Sequence, residues 1–133
     1  MQKKRSEEKA LPLVLICEDL PFNLLQAGAV MKRSGYRVAE ATNGREGYEK
    51  AVDSRPDLIL MDVMMPVMDG LTSIKMLKKS GATKEIPIIV LTSLDGMGDC
   101  EKCLQAGADG YLTKPIDADG LRRVLVEITG SGC

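Results

Sequence analysis

Short apolar runs recur along the chain and are typical of strands buried on both faces of a parallel sheet. One segment instead alternates polar with apolar residues, which indicates a strand at the edge of the sheet. Prolines or a turn signal precede the last three runs, as expected where a loop enters a strand. The predicted strands are Leu13–Cys17, Arg37–Ala41, Leu58–Met61, Ile88–Leu91 and Tyr111–Thr113.

Between these strands the apolar residues take the spacing of a helix. The clearest stripe begins at Leu121 and repeats at i+3, i+4 and i+7. Another helix is opened by Asn43 and Glu46, whose spacing resembles a capping box. Strands that alternate with helices predict an α/β fold, a single doubly wound (βα)5 domain with a parallel five-stranded sheet. We expect the strand order 2-1-3-4-5.

Polar residues follow four of the predicted strands at the point where each ends. In an open parallel sheet, ligands bind beyond the carboxyl ends of the strands, where the winding reverses. The polar residues at these ends should therefore meet in one crevice. They are Glu18 and Asp19 after the first strand, Asp62 after the third, Thr92 after the fourth and Lys114 after the fifth.

These residue types together suit phosphoryl transfer to a carboxylate. Crowded carboxylates repel one another, and a hard cation such as Mg²⁺ (or Mn²⁺) relieves the repulsion. Asp62, at the centre, is the candidate nucleophile, while Glu18 and Asp19 are candidate metal ligands. Lys114 can pair with the phosphoryl group and Thr92 can donate a hydrogen bond to it. The alternative is that these groups only cap strand ends and helix starts.

Composition narrows the classes of function. The formal net charge of -1 disfavours direct DNA binding by this domain. Residues 1–9 are polar, and no apolar run approaches a membrane span, so we expect a cytoplasmic protein. The chain has 4 Cys and no His, which excludes mixed Cys/His zinc sites, and we interpret Cys100 and Cys103 as helix packing. The expected organisation is a lead-in at 1–10, one domain at 11–129 and a tail at 130–133.

Four motifs resemble those of response-regulator receiver domains, over nearly the whole chain. Residues 56–70 are similar to the phosphoacceptor signature of that family, with Asp62 as the acceptor. Glu18-Asp19 resembles its acidic pair, Leu91-Thr92-Ser93 its switch hydroxyl, and 110–115 its aromatic-Lys-Pro segment. The motifs occur in the family's order and at the predicted strand ends.

The resemblance implies a flavodoxin-like fold and a phosphohistidine donor, on a histidine kinase or a histidine phosphotransfer domain. It implies Mg²⁺ as the ion, with the backbone carbonyl of Met64 among its ligands, and a cis Lys114–Pro115 bond. It also implies a switch in which Thr92 moves toward the phosphoryl group and Tyr111 turns inward, altering the surface offered to an unknown downstream partner. Such a domain is a signalling module, with self-phosphorylation and slow self-dephosphorylation at most.

Local departures from the family's commonest pattern suggest further hypotheses. Met64 and Leu94 are apolar where fast self-dephosphorylating members are polar, so we expect a long-lived phosphoryl group. Gly110 stands where DNA-binding members are usually acidic, which weakens the case for their mode of dimerisation but leaves a homodimer open. Four apolar residues flank the site and are either a docking surface for the donor or, equally well, ordinary loop and hydrophobic-staple residues: Leu20, Pro21, Phe22 and Ile116.

Two other functions compete with this interpretation. A pseudo-receiver would keep the fold as an interaction module and never take a phosphoryl group, although its acidic, Thr and Lys positions would rarely all persist. A hydrolase with an aspartyl-phosphate intermediate typically carries Asp-x-Asp at the nucleophile, and here Met64 stands two residues after Asp62. Two tests separate the three functions. A pseudo-receiver would not respond to phosphoryl donors or their analogues, and only a hydrolase would turn over small phosphomonoesters repeatedly.

Overall fold

The computed structural model describes residues 11–93 and 97–129, in which five strands alternate with five helices. The expected lead-in at 1–10 and tail at 130–133 lie outside the described residues. Among the described helices, none combines the length and apolar character needed to cross a bilayer. The strands are β1 Leu13–Cys17, β2 Arg37–Ala41, β3 Leu58–Asp62, β4 Ile88–Thr92 and β5 Gly110–Thr113, and the helices are α1 Pro21–Arg33, α2 Gly44–Ser54, α3 Gly70–Lys79, α4 Met97–Gln105 and α5 Ala118–Thr129.

The strands form one parallel sheet in the order β2-β1-β3-β4-β5, which confirms the predicted fold. The alternating segment lies at an edge, where one side of the strand has no neighbour in the sheet. Register aligns the carboxyl ends: Cys17 pairs with Met61, and Asp62 pairs with Leu91. Residues that follow β1, β3 and β4 are therefore neighbours at one edge of the sheet.

Two apolar layers enclose the sheet because alternate strand residues point to opposite faces. Leu15 and Ile59 pack with residues of α2, α3 and α4, such as Ile74. Ile16 and Leu60 pack on the other face with α1 and α5. Burying each such side chain contributes about 1.5–3 kcal/mol, so the central strands anchor the positions of the residues at their ends.

The cysteines of the described residues belong to this core. Cys100 and Cys103 are buried against the α2–α4 layer, which confirms the packing interpretation of the pair. Burial and the nearby Glu46 carboxylate raise the pKa of the Cys17 thiol to about 12. Burial likewise raises the pKa of Cys103 to about 11, so these thiols stay protonated and unreactive near neutral pH. Cys133 lies outside the described residues.

Helix α2 begins with half of the predicted capping box. The Asn43 side chain accepts a hydrogen bond from the Glu46 backbone N–H at 2.8 Å, as predicted. The Glu46 carboxylate does not return the bond to Asn43 but accepts from the backbone N–H of Thr42 at 2.6 Å. The acid at this position reaches one residue further back and fixes the turn between β2 and α2.

Candidate functional site

Three carboxylates converge at the carboxyl edge of the sheet. One oxygen from each of Glu18, Asp19 and Asp62 lies within 4.8 Å of the others. Glu18 extends the pairing of β1 by one residue, because its backbone N–H donates to the Ala41 carbonyl at 3.0 Å. Asp62 is the last residue of β3, one residue beyond the predicted end of that strand.

Burial makes this proximity electrostatically costly. The side chains of Glu18 and Asp62 are almost fully buried, while Asp19 is partly exposed. Burial raises the pKa of Glu18 to about 7, and its hydrogen bond to Asp62 and the Asp62 charge act in the same direction. A backbone N–H from Leu20 and the charge of Lys114 lower the pKa of Glu18 but do not cancel the rise. The cluster therefore carries more negative charge than its surroundings neutralise.

Lys114 is the cation of this cluster. Its Nζ lies 3.4 Å from Glu18 Oε1 and 3.4 Å from Asp62 Oδ1, in a side chain that is 22% exposed. The backbone N–H of Lys114 donates to the Thr92 carbonyl at 2.8 Å, which extends the pairing of β5 with β4. The Lys114–Pro115 bond is cis, as the resemblance implied.

The loop after Asp62 is held close to it. The backbone N–H of Met64 donates to Asp62 Oδ1 at 3.2 Å, and that of Gly70 donates to the Val63 carbonyl at 2.9 Å. A Cβ at Gly70 would lie 2.2 Å from the backbone oxygen of Asp62, so a side chain at this position would force the loop away. The glycine thus allows the loop to fold back against the end of β3.

A strained turn lies within the same loop. Val67 has a φ of 67°, a left-handed conformation that is rare for a β-branched residue. The Met68 N–H donates to the Pro66 carbonyl at 2.7 Å, which makes a γ-turn centred on Val67. The Met68 carbonyl then accepts from the Gly44 N–H at 2.8 Å. This bond to the start of α2 helps to hold the turn in a conformation that the side chain disfavours.

The two residues expected to switch lie in different places. Thr92 is buried at the end of β4, and its Oγ1 donates to the Ser93 carbonyl at 3.0 Å. Tyr111 is exposed on β5 and lines an open cleft between β5 and α5. The structure therefore brings Thr92 to the acidic cluster and leaves the Tyr111 ring outside it.

A cavity of about 260 Å³ opens over the cluster. It contains one acidic residue that the sequence analysis missed, Asp99, in the first turn of α4. An acidic residue in a first helical turn is so common that its position alone carries no functional signal. Predicted site residues that line the cavity are Asp19, Asp62, Met64, Thr92 and Lys114.

The donor set fits a hard divalent cation. Carboxylate oxygens and backbone carbonyls are the ligands that Mg²⁺ takes from proteins, with water and phosphate oxygens completing its shell. The raised pKa of Glu18 has the same physical origin as cation affinity, since positive charge of either kind relieves the cluster. Glu18, Asp19 and Asp62 are therefore suited to hold Mg²⁺.

Comparisons with known proteins agree with this geometry. The response regulator receiver domain family matches residues 14–126. Protein PilH of Pseudomonas aeruginosa is 34% identical over 112 residues, which are 84% of this chain and 93% of PilH. Response regulator PleD of Caulobacter vibrioides is 40% identical over 104 residues, or 78% of this chain, and the chain spans only 23% of the length of PleD.

A solved structure shows the same fold with a metal. The receiver domain of a sensor histidine kinase from Pseudomonas aeruginosa PAO1 superposes with a TM-score of 0.82 at 37% identity, covering 92% of this chain and 100% of that one. That structure has a magnesium ion coordinated in its active-site cleft. With the fold, the family match and the acidic cluster in agreement, this chain belongs to the response regulator receiver domains.

Proposed function

We propose that this receiver domain is a phosphoacceptor switch of a two-component system or phosphorelay, with Asp62 as the acceptor. The observation that carries the proposal is the surplus of buried negative charge at the carboxyl edge of the sheet. Asp62 lies within 4.8 Å of two further carboxylates and 3.4 Å from the ammonium of Lys114. A phosphoryl group and a divalent cation together complete this charge arrangement.

In the proposed reaction, a carboxylate oxygen of Asp62 attacks the phosphorus of a phosphohistidine. The new P–O bond forms as the P–N bond breaks, and the electron pair of that bond stays on the imidazole nitrogen. The donor is a histidine kinase or a histidine phosphotransfer domain. Positioning and charge neutralisation do most of the catalytic work in such transfers, which suits a site without a strong acid or base.

Each neighbouring group has a proposed role. Glu18, Asp19, Asp62 and the Met64 carbonyl would hold Mg²⁺ or Mn²⁺, which when bound would neutralise charge on the phosphoryl oxygens. Lys114 pairs with one phosphoryl oxygen through its ammonium. The backbone N–H of Met64, already bonded to Asp62 Oδ1, keeps the carboxylate oriented for attack.

Phosphorylation then shifts the conformation. Thr92 releases the Ser93 carbonyl and donates to a phosphoryl oxygen, and Tyr111 turns inward from its exposed position. Reversing a two-state equilibrium from 1:99 to 99:1 takes about 5.5 kcal/mol. Hydrogen bonds to charged groups contribute about 1.5–3 kcal/mol each, so Lys114 and Thr92 together supply about 3–6 kcal/mol. The changed surface binds a downstream partner of unknown identity.

The donor docks, in this proposal, on apolar residues beside the site. Phe22 is 78% exposed and Leu25, one helical turn later on the same face of α1, is 73% exposed. Leu20 is 53% exposed and lines the cavity with Asp62, and Pro21, the next residue, is exposed as well. The expectation that Ile116 belongs to it was wrong, because its side chain is buried in the core on the α1–α5 face of the sheet.

Substitution of the acceptor tests the proposal. With Mg²⁺ and acetyl phosphate, the wild type should gain the mass of one phosphoryl group, and Asp62→Asn should gain none. Asp53→Asn makes the same change at an exposed position on α2 and should behave like the wild type. Binding of beryllofluoride, a phosphoryl analogue, should follow the same pattern. A wild type that responds to neither reagent would favour the pseudo-receiver.

The residue two places after Asp62 bears on what happens next. Met64 is exposed at the mouth of the cavity, and its thioether is neither an acid nor a base, which argues against a hydrolase. The same side chain offers no strong hydrogen bond to an attacking water, so we propose a long-lived phosphoryl group. Leu94, the second residue behind this hypothesis, lies outside the described residues. A half-life of seconds for the isolated phosphoprotein would contradict it.

The proposed receiver domain extends over 11–129, slightly beyond the family match at 14–126. We propose a cytoplasmic location, where histidine kinases present their phosphohistidine. A full-length gene sequence would test both, since it would show which domains accompany this one.

A further inference from the structure

Gln26 connects helix α1 to the loop that carries Lys114. Its side-chain Nε2 donates to the backbone carbonyl of Ile116 at 2.7 Å, between residues 90 positions apart in the chain. The contact is partly buried, which shelters the hydrogen bond from water. One neutral side chain on α1 therefore anchors the loop between β5 and α5.

That loop is anchored on both sides of Lys114. Before the loop turns, the Lys114 N–H donates to the Thr92 carbonyl at 2.8 Å. After it turns, the Ile116 carbonyl accepts from Gln26, and the Ile116 side chain is 3% exposed. Pro115, between the two anchors, has no N–H to donate. One backbone bond, one side-chain bond and the buried Ile116 side chain thus hold the lysine backbone in position.

Little space is left between helix α1 and this loop. A cavity of only about 10 Å³ lies between Gln26, Glu18 and Lys114, at the lower limit for a single water. Helix α1 consequently packs against both the acidic and the basic side of the site. Because a carboxamide is neutral, Gln26 fixes the loop without changing the charge of the cluster.

The ammonium of Lys114 needs such support. Its two carboxylate neighbours lie at 3.4 Å, beyond the roughly 2.7–2.9 Å of a strong charge-assisted hydrogen bond. At this separation the carboxylates hold the ammonium loosely, so the position of the loop backbone, from which the flexible side chain starts, contributes to the ammonium's reach. Misplacing a catalytic group by 1 Å lowers a reaction rate by up to about 10²-fold, so even a small shift of the loop should be measurable.

We propose that Gln26 is a positioning residue, which holds the β5–α5 loop so that Lys114 reaches a phosphoryl group on Asp62. The inference rests on the proposed phosphoacceptor function. Gln26 acts through the Ile116 carbonyl and through the lysine, and it belongs to neither the metal ligands nor the phosphoryl ligands.

Gln26→Met tests the inference, since methionine is close in shape and lacks the donor. Gln105→Met makes the same change at an exposed position on α4 and serves as the matched control. The readout is beryllofluoride affinity at saturating Mg²⁺, because this small probe needs no docking surface on α1. We expect about a tenfold weaker affinity for Gln26→Met, within the range that mispositioning produces, and none of this loss for Gln105→Met. Mg²⁺ affinity without beryllofluoride should not fall, because moving a cation away from the carboxylates does not weaken their hold on another cation.

A double-mutant cycle separates positioning from general damage. In a Lys114→Met background, Gln26→Met should cause no further loss of beryllofluoride affinity, because the group it positions is gone. An equal loss in both backgrounds would overturn the inference. Wild-type affinity in the Gln26→Met protein, or a matching loss of Mg²⁺ affinity, would overturn it as well.

A second variant covers the case in which Gln26→Met does not fold. Gln26→Ala also removes the hydrogen-bond donor, favours the helix, and leaves the charge of the cluster unchanged. It should weaken beryllofluoride binding in the same selective way, and wild-type affinity would overturn the inference. If the wild type binds no beryllofluoride at all, the proposed phosphoacceptor function fails first, and the inference fails with it.

Discussion

Opposite edges of the sheet each carry a lysine–aspartate pair with the same spacing. At the carboxyl edge, Lys114 Nζ lies 3.4 Å from Asp62. At the amino edge, Lys78 Nζ lies 3.4 Å from Asp109. The lysine side chains are similarly sheltered, at 22% and 18% exposed. The N···O distance and the burial of the lysine therefore do not distinguish the two pairs, although the Asp62 side chain is 5% exposed and the Asp109 side chain 36%.

The pair at the amino edge is balanced by its surroundings. Lys78 Nζ also donates to the backbone carbonyls of Ile86 at 3.0 Å and Lys84 at 3.2 Å. Asp109 accepts from the backbone N–H of Ile88 at 2.8 Å. One cation meets one anion, and each also bonds to backbone groups. This arrangement connects the end of α3 to the starts of β4 and β5.

The pair at the carboxyl edge is unbalanced, since one ammonium lies beside two members of a cluster of three carboxylates. Burial and the neighbouring Asp62 raise the pKa of Glu18, which shows that the charges there are not compensated. An arrangement that costs stability in isolation is typical of a site that binds a cation or an anion-bearing group during function. Local charge balance, more than the presence of an ion pair, therefore separates a binding site from a structural contact.

The largest expected effect is on function at the carboxyl edge. Lys114→Met should lower the rate of phosphorylation by acetyl phosphate about 10²–10³-fold, because removing one preorganised donor costs roughly 2.7–4 kcal/mol of transition-state stabilisation. Lys78→Met is the control and should leave this rate within about twofold of the wild type. Equal losses in both variants would show that the edges do not differ in role.

The second expected effect is on the free energy of unfolding, for which Lys78 should matter more than Lys114. Lys78→Met leaves two carbonyls and Asp109 without their shared donor, which should lower the free energy of unfolding by about 1–3 kcal/mol. Lys114→Met should lower it less, because the acids it leaves behind can take up a proton. Urea denaturation at neutral pH measures both. A larger loss for Lys114→Met would contradict the assignment of Lys78 to structure.

A smaller effect on stability is expected from Glu18, whose substitution should stabilise the protein at high pH. Its pKa in the folded protein, about 7, lies above the ordinary value of 4.5, so the folded state binds this proton more tightly than the unfolded chain. In EDTA, the stability contributed by this group is present below pH 4.5 and is lost as the pH rises through about 7.

Glu18→Gln should remove that dependence. At pH 8 in EDTA we expect the variant to be more stable than the wild type by about 1 kcal/mol, as is common when a functional site is relieved of strain. Added Mg²⁺ should stabilise the wild type more than the variant. A wild type that gains stability from pH 5 to pH 8 by more than Glu18→Gln does would contradict the direction of the shift.

Most of the residues that meet at the carboxyl edge of the sheet can be predicted from the sequence. Apolar runs located the strands, and parallel topology brings whatever follows them to one edge, so Glu18, Asp62 and Lys114 were found without coordinates. The predicted ends of β3 and β4 each fall one residue before the ends in the structure. Asp62 and Thr92 are polar, but backbone pairing continues through them because it does not depend on the side chain.

Contacts that depend on packing could not be read from the sequence. The apolar spacing that predicts helix α1 gives no role to Gln26, whose partner is a backbone carbonyl 90 residues away. Ile116 is an apolar loop residue, which the sequence describes equally well as exposed or as buried. The Lys78 pair was missed for a similar reason, since its acceptors are backbone carbonyls that carry no signature in the residue types.

The smallest expected effect comes from a third ion pair, which is exposed to solvent and serves as a reference for the two sheltered pairs. Arg122 lies 3.2 Å from Asp119 on α5, and the two side chains are 73% and 86% exposed. Water and salt screen this pair, so a double-mutant cycle should give a coupling of less than about 0.5 kcal/mol despite its shorter distance. The same cycle on Lys78 and Asp109 should give a larger coupling. If the exposed pair coupled as strongly as the sheltered one, burial and backbone partners would not explain the stability of the amino edge.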